Sequence, residues 1–256
     1  MGRAAFLTGR PIAHRGFHDA AAGRIENTLS AADAAIARNF AIECDLQLSG
    51  DGEAVVFHDD TLDRLTDATG PIHGKPLAEL KSATIKGTGD RIPTLAELLG
   101  LVAGRVPLVI ELKPQAGAEP LLEQRTVELL HPYEGPLAVM SFDPRSVRAM
   151  RSLAPALPRG MVADRFDEPG ETGLSWGRRM ALRHLLHAQA VRPDFIAYDI
   201  NALPANAPLF LRHLGLPLLT WTVRTPAERA LADRYADQII FEGFDPAMDT
   251  AQAVSD

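Results

Sequence analysis

Along the 256-residue chain, short apolar runs of β-prone residues alternate with longer stretches of helical periodicity. The runs Pro11–His14, Ala41–Leu46, Ala54–Phe57, Pro107–Leu112 and Leu137–Ser141 predict strands, each bounded by turn-forming residues. Pro158–Ala163, Phe195–Tyr198, Pro217–Val223 and Gln238–Phe241 continue the series. Helical patterns fall between them. Asn27–Asn39 has Asn27 or Thr28 as its N-cap, and Thr94–Val102 opens on the capping-box pair Thr94 and Glu97. Helices are also predicted near Glu119–His131 and over Pro144–Leu153, Gly177–Ala190, Ala207–Leu214 and Pro226–Tyr235. With Ala54–Phe57 set aside as a hairpin strand, about eight strands each lead into a helix, which predicts an α/β fold, a (β/α)₈ TIM barrel. A doubly wound open sheet is the rival, but no Gly-x-Gly-x-x-Gly follows a strand. From Asp59 to Arg91 the periodicity gives way to Gly- and Pro-marked turns and one short helix near Pro76–Ser82. That segment reads as a short insertion after the second barrel strand, and residues 1–256 as a single domain.

The strand Ala41–Leu46 carries the first chemical signal. Alternate side chains of a strand share a face, so Glu43 and Asp45 point one way while Ile42, Cys44 and Leu46 point the other. Two carboxylates held together in an apolar strand repel each other and lose hydration, and a divalent cation offsets both penalties. The Gly50/Gly52 turn sends the chain back through Val55-Val56-Phe57 to His58, a titratable group at the same end. Metal-assisted acid/base chemistry is the reading of this stretch.

Composition changes that picture little. A formal charge of −7 without a basic cluster argues against nucleic acid or an anionic membrane as partner. Cys44 is the only cysteine, so no intrachain disulfide forms, and it is expected as a small apolar residue facing a helix layer. No run approaches the roughly 18 to 20 apolar residues of a membrane span, and the N-terminus lacks a signal-peptide core. A cytoplasmic protein without stable membrane insertion is expected, with homo-oligomerisation left open.

In a barrel of this type, chemistry collects at the C-terminal strand ends. Taken in order, those ends and their loops carry His14-Arg15-Gly16, Glu26-Asn27-Thr28, Glu43-x-Asp45, Phe57-His58-Asp59 and Glu111-Leu112-Lys113. Together with Ile92-Pro93-Thr94-Leu95 and Trp221-Thr222-Val223, this ordered set resembles the glycerophosphodiester phosphodiesterase family over most of the chain. The resemblance implies a TIM barrel that hydrolyses glycerophosphodiesters, a small-molecule substrate class, to glycerol 3-phosphate and an alcohol. It implies a divalent metal, Mg²⁺ or Ca²⁺, held by Glu43, Asp45 and Glu111 with Glu26 nearby. His14 and His58 would be the acid/base pair, Arg15 and Lys113 would contact the phosphate, and Asn27 the phosphate or its water. Trp221 would line the mouth beside the glycerol carbons, although a core tryptophan is as good a reading.

Each assignment has a physical reason. Oxygen ligands suit Mg²⁺ and Ca²⁺, whereas Zn²⁺ more often recruits His or Cys. An arginine forks two N–H groups onto phosphate oxygens, and a lysine adds a point charge. Histidine serves as base or acid near neutral pH. Two readings compete. A lysophospholipase D-type enzyme would need an apolar patch at the mouth, for which Phe17, Phe142, Phe166 and Trp176 are candidates. A non-catalytic barrel that binds phosphorylated ligands would have no use for both histidines. His184 and His187, three apart on a predicted helix, are expected on a solvated face, and His18, His73, His131 and His213 in structural roles. Two departures from the family pattern stand out. Ile25 replaces a common proline, and Ile240-Phe241-Glu242-Gly243 replaces a Thr-Asp pair, a change expected to bear on substrate shape rather than chemistry.

Overall fold

Nine short runs of buried residues become nine strands of one sheet in the computed structural model, which describes residues 2–115, 119–167 and 174–247. They are β1 (Ile12–Ala13), β2 (Ala41–Leu48), β3 (Ala54–Val56), β4 (Leu108–Leu112), β5 (Leu137–Ser141), β6 (Arg159–Ala163), β7 (Phe195–Asp199), β8 (Leu218–Val223) and β9 (Gln238–Phe241). All but β3 pair in parallel in the order β1-β2-β4-β5-β6-β7-β8-β9, and β9 returns to β1 to close the barrel. The hairpin strand β3 runs antiparallel to the C-terminal half of β2, Leu46 opposite Val56. Helices α1 (Leu29–Ala37), α2 (Leu77–Ser82), α3 (Leu95–Val102), α4 (Leu121–Leu130) and α5 (Pro144–Leu153) occur in the first part of the chain. They are followed by α6 (Trp176–Arg183), α7 (Ala188–Val191), α8 (Asn206–His213) and α9 (Pro226–Tyr235).

The period of two on each strand divides the core into separate layers. Inward side chains such as Ile12, Ala41, Val109, Val162, Leu219 and Ile240 fill the barrel interior. The alternate residues, among them Ile42, Cys44, Ile110, Val139 and Ile196, pack outward against the helices. Cys44 therefore does face the helix layer, and burial pushes its thiol pKa well up. The predicted insertion carries a small core of its own, built by Val55, Phe57, Leu62, Ile72, Leu80, Ile85 and Ile92. That core holds the His58 end of the hairpin against the barrel rim.

The interior is filled to the point where one side chain must be absent. An ideal Cβ on Gly160 of β6 would lie 2.3 Å from the ring of Phe195, which is fully buried. Gly160→Ala is therefore expected to destabilise the fold by about 1–3 kcal/mol through overpacking. The check is a lower urea midpoint at unchanged slope; an unchanged midpoint would mean the ring swings aside freely.

One of the two expected caps of α1 is used, and one expected helix is broken. Thr28, not Asn27, caps α1, its hydroxyl accepting from the Ala31 N–H, because Asn27 is occupied elsewhere. The continuous helix expected over Gly177–Ala190 is instead α6 and α7. The chain turns at Leu185, whose φ of 54° is left-handed, and this buries Leu185 while the hydroxyl of Tyr198 donates to the Arg183 carbonyl. His184 caps the end of α6 and His187 precedes α7, so no single helix presents them as a pair. Among the described residues, no helix is long and apolar enough to cross a membrane.

Candidate active site

The register that fills the barrel also supplies its rim. Two residues beyond an inward apolar side chain, the next inward one emerges at the C-terminal mouth. Ile12 leads to His14, Ala41 to Glu43 and then Asp45, and Val109 to Glu111 and then Lys113. Across the mouth, Met140 leads to Phe142, Val162 to Asp164, Ala197 to Asp199 and Leu219 to Trp221. These residues, with Arg15, His58 and Arg224, line a pocket of about 370 Å³. His14 and Arg15 come from the end of β1, and His58 from the turn after β3.

Three carboxylates stand at the floor of the pocket. The parallel register of β2 and β4 sets Asp45 opposite Glu111, and oxygen atoms from Glu43, Asp45 and Glu111 all lie within 4.8 Å of one another. All three are buried. Burial, with Asp45 and Glu111 beside it, pushes the Glu43 carboxyl well above the usual carboxylate range. Burial likewise lifts Glu111 to about 7 despite the opposing charge of Lys113, with Asp45 adding to the rise. Burial would raise Asp45 too, but Lys113, His58, Arg15 and a hydrogen bond from Asn27 draw it down to about 2.

Cations and amides flank this trio. Lys113 Nζ lies 3.2 Å from Glu111 and 3.4 Å from Asp45, so it serves both rather than forming an isolated pair. The Arg15 backbone N–H donates to Glu43 at 2.9 Å, and its Nε is 3.4 Å from Asp45. Arg15 and Gly16 both have left-handed φ, 54° and 82°. Gly16 is required twice over, because a Cβ there would also meet the Ala31 backbone at 2.9 Å. Asn27, at φ 57°, donates from Nδ2 to Asp45 at 2.8 Å and accepts from the Asp45 N–H at 3.2 Å. It is thus a clamp on a floor carboxylate. Glu26, expected near the metal, is not one of the three. It comes from the loop ahead of α1 rather than from an inward strand position, and its carboxylate accepts from Arg15 at 2.6 Å and Arg64 at 2.7 Å.

Each histidine is backed by a carboxylate that is itself held by an arginine. His58 Nδ1 is hydrogen-bonded to Asp59 Oδ1 at 2.8 Å, and Arg64 donates to both Asp59 oxygens. His14 Nδ1 is hydrogen-bonded to Glu242 Oε2 at 2.6 Å, while Arg224 Nε donates to Glu242 Oε1. Burial lowers the pKa of His14 more than the Glu242 bond raises it. Burial also lowers His58, against the pull of Asp45.

Glu242, Arg224 and Arg64 were not among the expected site residues, and Asp59 was expected only as part of the motif Phe57-His58-Asp59, without a role. Glu242, in the altered β9 end that was expected to bear on substrate shape, is hydrogen-bonded to His14. His18, expected to be structural, has its Nε2 3.6 Å from the same carboxylate. The signal that points to Glu242 is its place two residues beyond Ile240, in the inward register of β9.

The aromatic residues are divided between the mouth and the shell. Phe142 and Trp221 meet edge-to-face at 5.5 Å in the pocket wall, and Phe142 packs on buried Phe166 at 6.1 Å. Phe17 packs instead on Phe40 and Phe241 in the outer layer, so it is not part of an apolar mouth. Trp176 is 73% exposed at the start of α6.

Comparison with known proteins places these features in a family. The sequence pattern of the glycerophosphoryl diester phosphodiesterase family matches residues 14–244. The chain is 32% identical over 222 residues to a glycerophosphodiester phosphodiesterase of Caldanaerobacter subterraneus subsp. tengcongensis, covering 83% of this chain and 84% of that one. It is 35% identical over 253 residues to YhdW of Bacillus subtilis, covering 91% and 97%. Its fold is similar to that of an Oleispira antarctica phosphodiesterase solved with the product sn-glycerol-3-phosphate, with a TM-score of 0.78 at 26% identity over 96% of this chain and 98% of the other. Barrel, rim and sequence agree, and the chain belongs to the glycerophosphoryl diester phosphodiesterase family.

Proposed function

We propose that this protein, acting as a single barrel domain, hydrolyses glycerophosphodiesters to glycerol 3-phosphate and a free alcohol, using a divalent cation, Mg²⁺ or Ca²⁺. The observation that carries the reading is the buried trio Glu43, Asp45 and Glu111, which shares one pocket with His14, His58, Arg15 and Lys113. The donor set fits such a cation. Three buried carboxylates converge without enough positive charge to keep Glu43 and Glu111 in their ordinary ionised state, and their oxygens are the ligands that hard cations take. Bound there, a cation would supply Lewis-acid stabilisation of the charge that develops on the phosphate oxygens.

The chain's own residues do the rest. Arg15 and Lys113 bind non-bridging phosphate oxygens, and Glu26 braces the guanidinium of Arg15 from behind. Asn27 holds Asp45 in its orientation. One histidine takes the proton of the attacking hydroxyl, either water or the substrate's own 2-hydroxyl, and the other gives a proton to the leaving alkoxide. The Nδ1 atoms of both rings are engaged by carboxylates, so the exchange occurs at Nε2 of each. Trp221 and Phe142 form an apolar wall for the carbon skeleton of the substrate. The complex of the Oleispira relative with glycerol 3-phosphate supports this product.

The test is release of glycerol 3-phosphate from glycerophosphocholine and glycerophosphoethanolamine in Mg²⁺, Ca²⁺ or EDTA, with choline release from lysophosphatidylcholine, which would leave lysophosphatidic acid, followed in parallel. Metal-dependent release from the deacylated diesters is the expected result. Release from the lysolipid alone would favour the lipid-acting reading, for which the Phe142–Trp221 wall is the supporting feature. Tight binding of glycerol 3-phosphate without turnover of any diester would make the protein a binding barrel.

A further inference from the structure

We propose that Glu242, held in place by Arg224, is the positioning residue of His14: it keeps the proton on Nδ1 and aims Nε2 at the reaction centre. The inference rests on the phosphodiesterase reading for the role of His14, but its geometry stands independently.

Parallel pairing of β1 with β9 sets the two residues side by side. The backbone N–H of His14 donates to the Phe241 carbonyl at 2.9 Å, and that of Glu242 donates to the Val223 carbonyl at 3.1 Å. Both residues therefore leave their strands at fixed points. An ionised carboxylate only accepts, so the 2.6 Å contact to Nδ1 requires the proton to reside there. The lone pair of the neutral ring is then on Nε2, which faces the carboxylate floor, 4.0 Å from Glu43 Oε2. A ring turned over, or protonated on Nε2 instead, would present no acceptor to an attacking hydroxyl. Proton transfer balances whichever part His14 plays: Nε2 either takes the proton of the attacking hydroxyl as the new O–P bond forms or gives one to the leaving alkoxide as its P–O bond breaks, His58 makes the opposite transfer, and the Nδ1 proton stays against Glu242 throughout.

Arg224 gives the carboxylate its second anchor. Its Nε donates to Oε1, which leaves Oε2 facing His14, with His18 Nε2 3.6 Å from that same oxygen. The arrangement repeats at the second histidine of the pocket, where Arg64 orients Asp59 and Asp59 holds His58. Two histidines, each backed by a carboxylate and an arginine, face one carboxylate floor.

The experiment compares Glu242→Gln, Glu242→Ala and Glu242→Asp with the parent protein. The first readout is the ¹⁵N spectrum of the His14 ring, assigned with His14→Gln, which reports the tautomer without any substrate. The second is kcat and KM for whichever diester the parent turns over. We expect the parent ring to be protonated on Nδ1 and that population to be lost in Glu242→Ala. We expect kcat to fall by about 10²-fold in Glu242→Ala and Glu242→Gln with KM much less affected, and Glu242→Asp to recover part of it. Unfolding midpoints close to the parent's exclude a folding defect, and the near-isosteric Glu242→Gln serves if the alanine variant does not fold. A parent ring protonated on Nε2, or a tautomer and kcat indifferent to all three substitutions, overturns the proposal. If the parent cleaves no diester, the phosphodiesterase reading fails, while the tautomer measurement still decides whether Glu242 sets the ring.

Discussion

His14→Ala and His58→Ala are each expected to lower kcat for glycerophosphodiesters by about 10²–10⁴-fold, the range lost when a positioned acid or base is removed. The effect should fall on kcat more than on KM, because the phosphate contacts proposed for Arg15 and Lys113 are left in place. The two rings come from different strand ends of one pocket and each is fixed through Nδ1 by its own carboxylate, so neither can readily take over the other's part. Burial lowers both pKa values, which keeps neutral imidazole, the form a base needs, available down to mildly acidic pH. Because the two groups act in one proton exchange, the double variant should be little worse than the slower single one. Steady-state kinetics with matched unfolding midpoints provide the check. Near-parental kcat in both single variants would remove the histidines from the mechanism.

The second large effect is a pH-dependent stabilisation by divalent cation. Glu111 is raised to about 7 in the fold by burial, well above the value of an unfolded glutamate near 4.5. A raised carboxyl favours its protonated form in the native state, so its stabilising contribution is complete below about pH 4.5 and is lost as pH rises through 7. In the metal-free protein this group should therefore cost stability between pH 5 and pH 8, with Glu43 shifting in the same direction and the lowered pKa values of His14 and His58 opposing it. A cation held by the deprotonated trio, as proposed, would compete with those protons, so its stabilising effect should grow over the same interval. At a concentration about a hundredfold above Kd, binding adds roughly 2.7 kcal/mol. Thermal unfolding in EDTA, Mg²⁺ and Ca²⁺ from pH 5 to 8 reads this directly. Glu43→Gln and Glu111→Gln should flatten the pH dependence and weaken the cation effect. A cation shift that is absent, or the same at every pH, would mean the trio does not hold a metal.

Much of the site was legible before any coordinates because it follows from a period of two. Glu43 and Asp45 share a face of β2, Glu111 and Lys113 share a face of β4, and an inward register fixes where all four emerge. Composition signals at turns and caps were equally direct. The capping box of Thr94 and Glu97 is formed as its spacing implies, and Gly16 sits where a left-handed turn and a close approach to α1 both demand glycine. The less legible features depend on partners far apart in the chain. Nothing local to Glu26 says that Arg64, 38 positions later, will occupy its carboxylate. Phe17 lies three residues after His14 yet turns outward to Phe40 and Phe241. The break at Leu185 likewise reflects burial of that side chain against the outer layer, a tertiary choice that overrides helical periodicity.

The sequence by itself therefore determined the barrel, the buried carboxylates and the two histidines, because alternation along a strand and the order of the strand ends are properties of the chain alone. Only the tertiary structure decided which groups stand behind those histidines. His14 and Glu242 are 228 residues apart and meet only because β9 closes the barrel against β1, a contact that exists once all the intervening strands have paired.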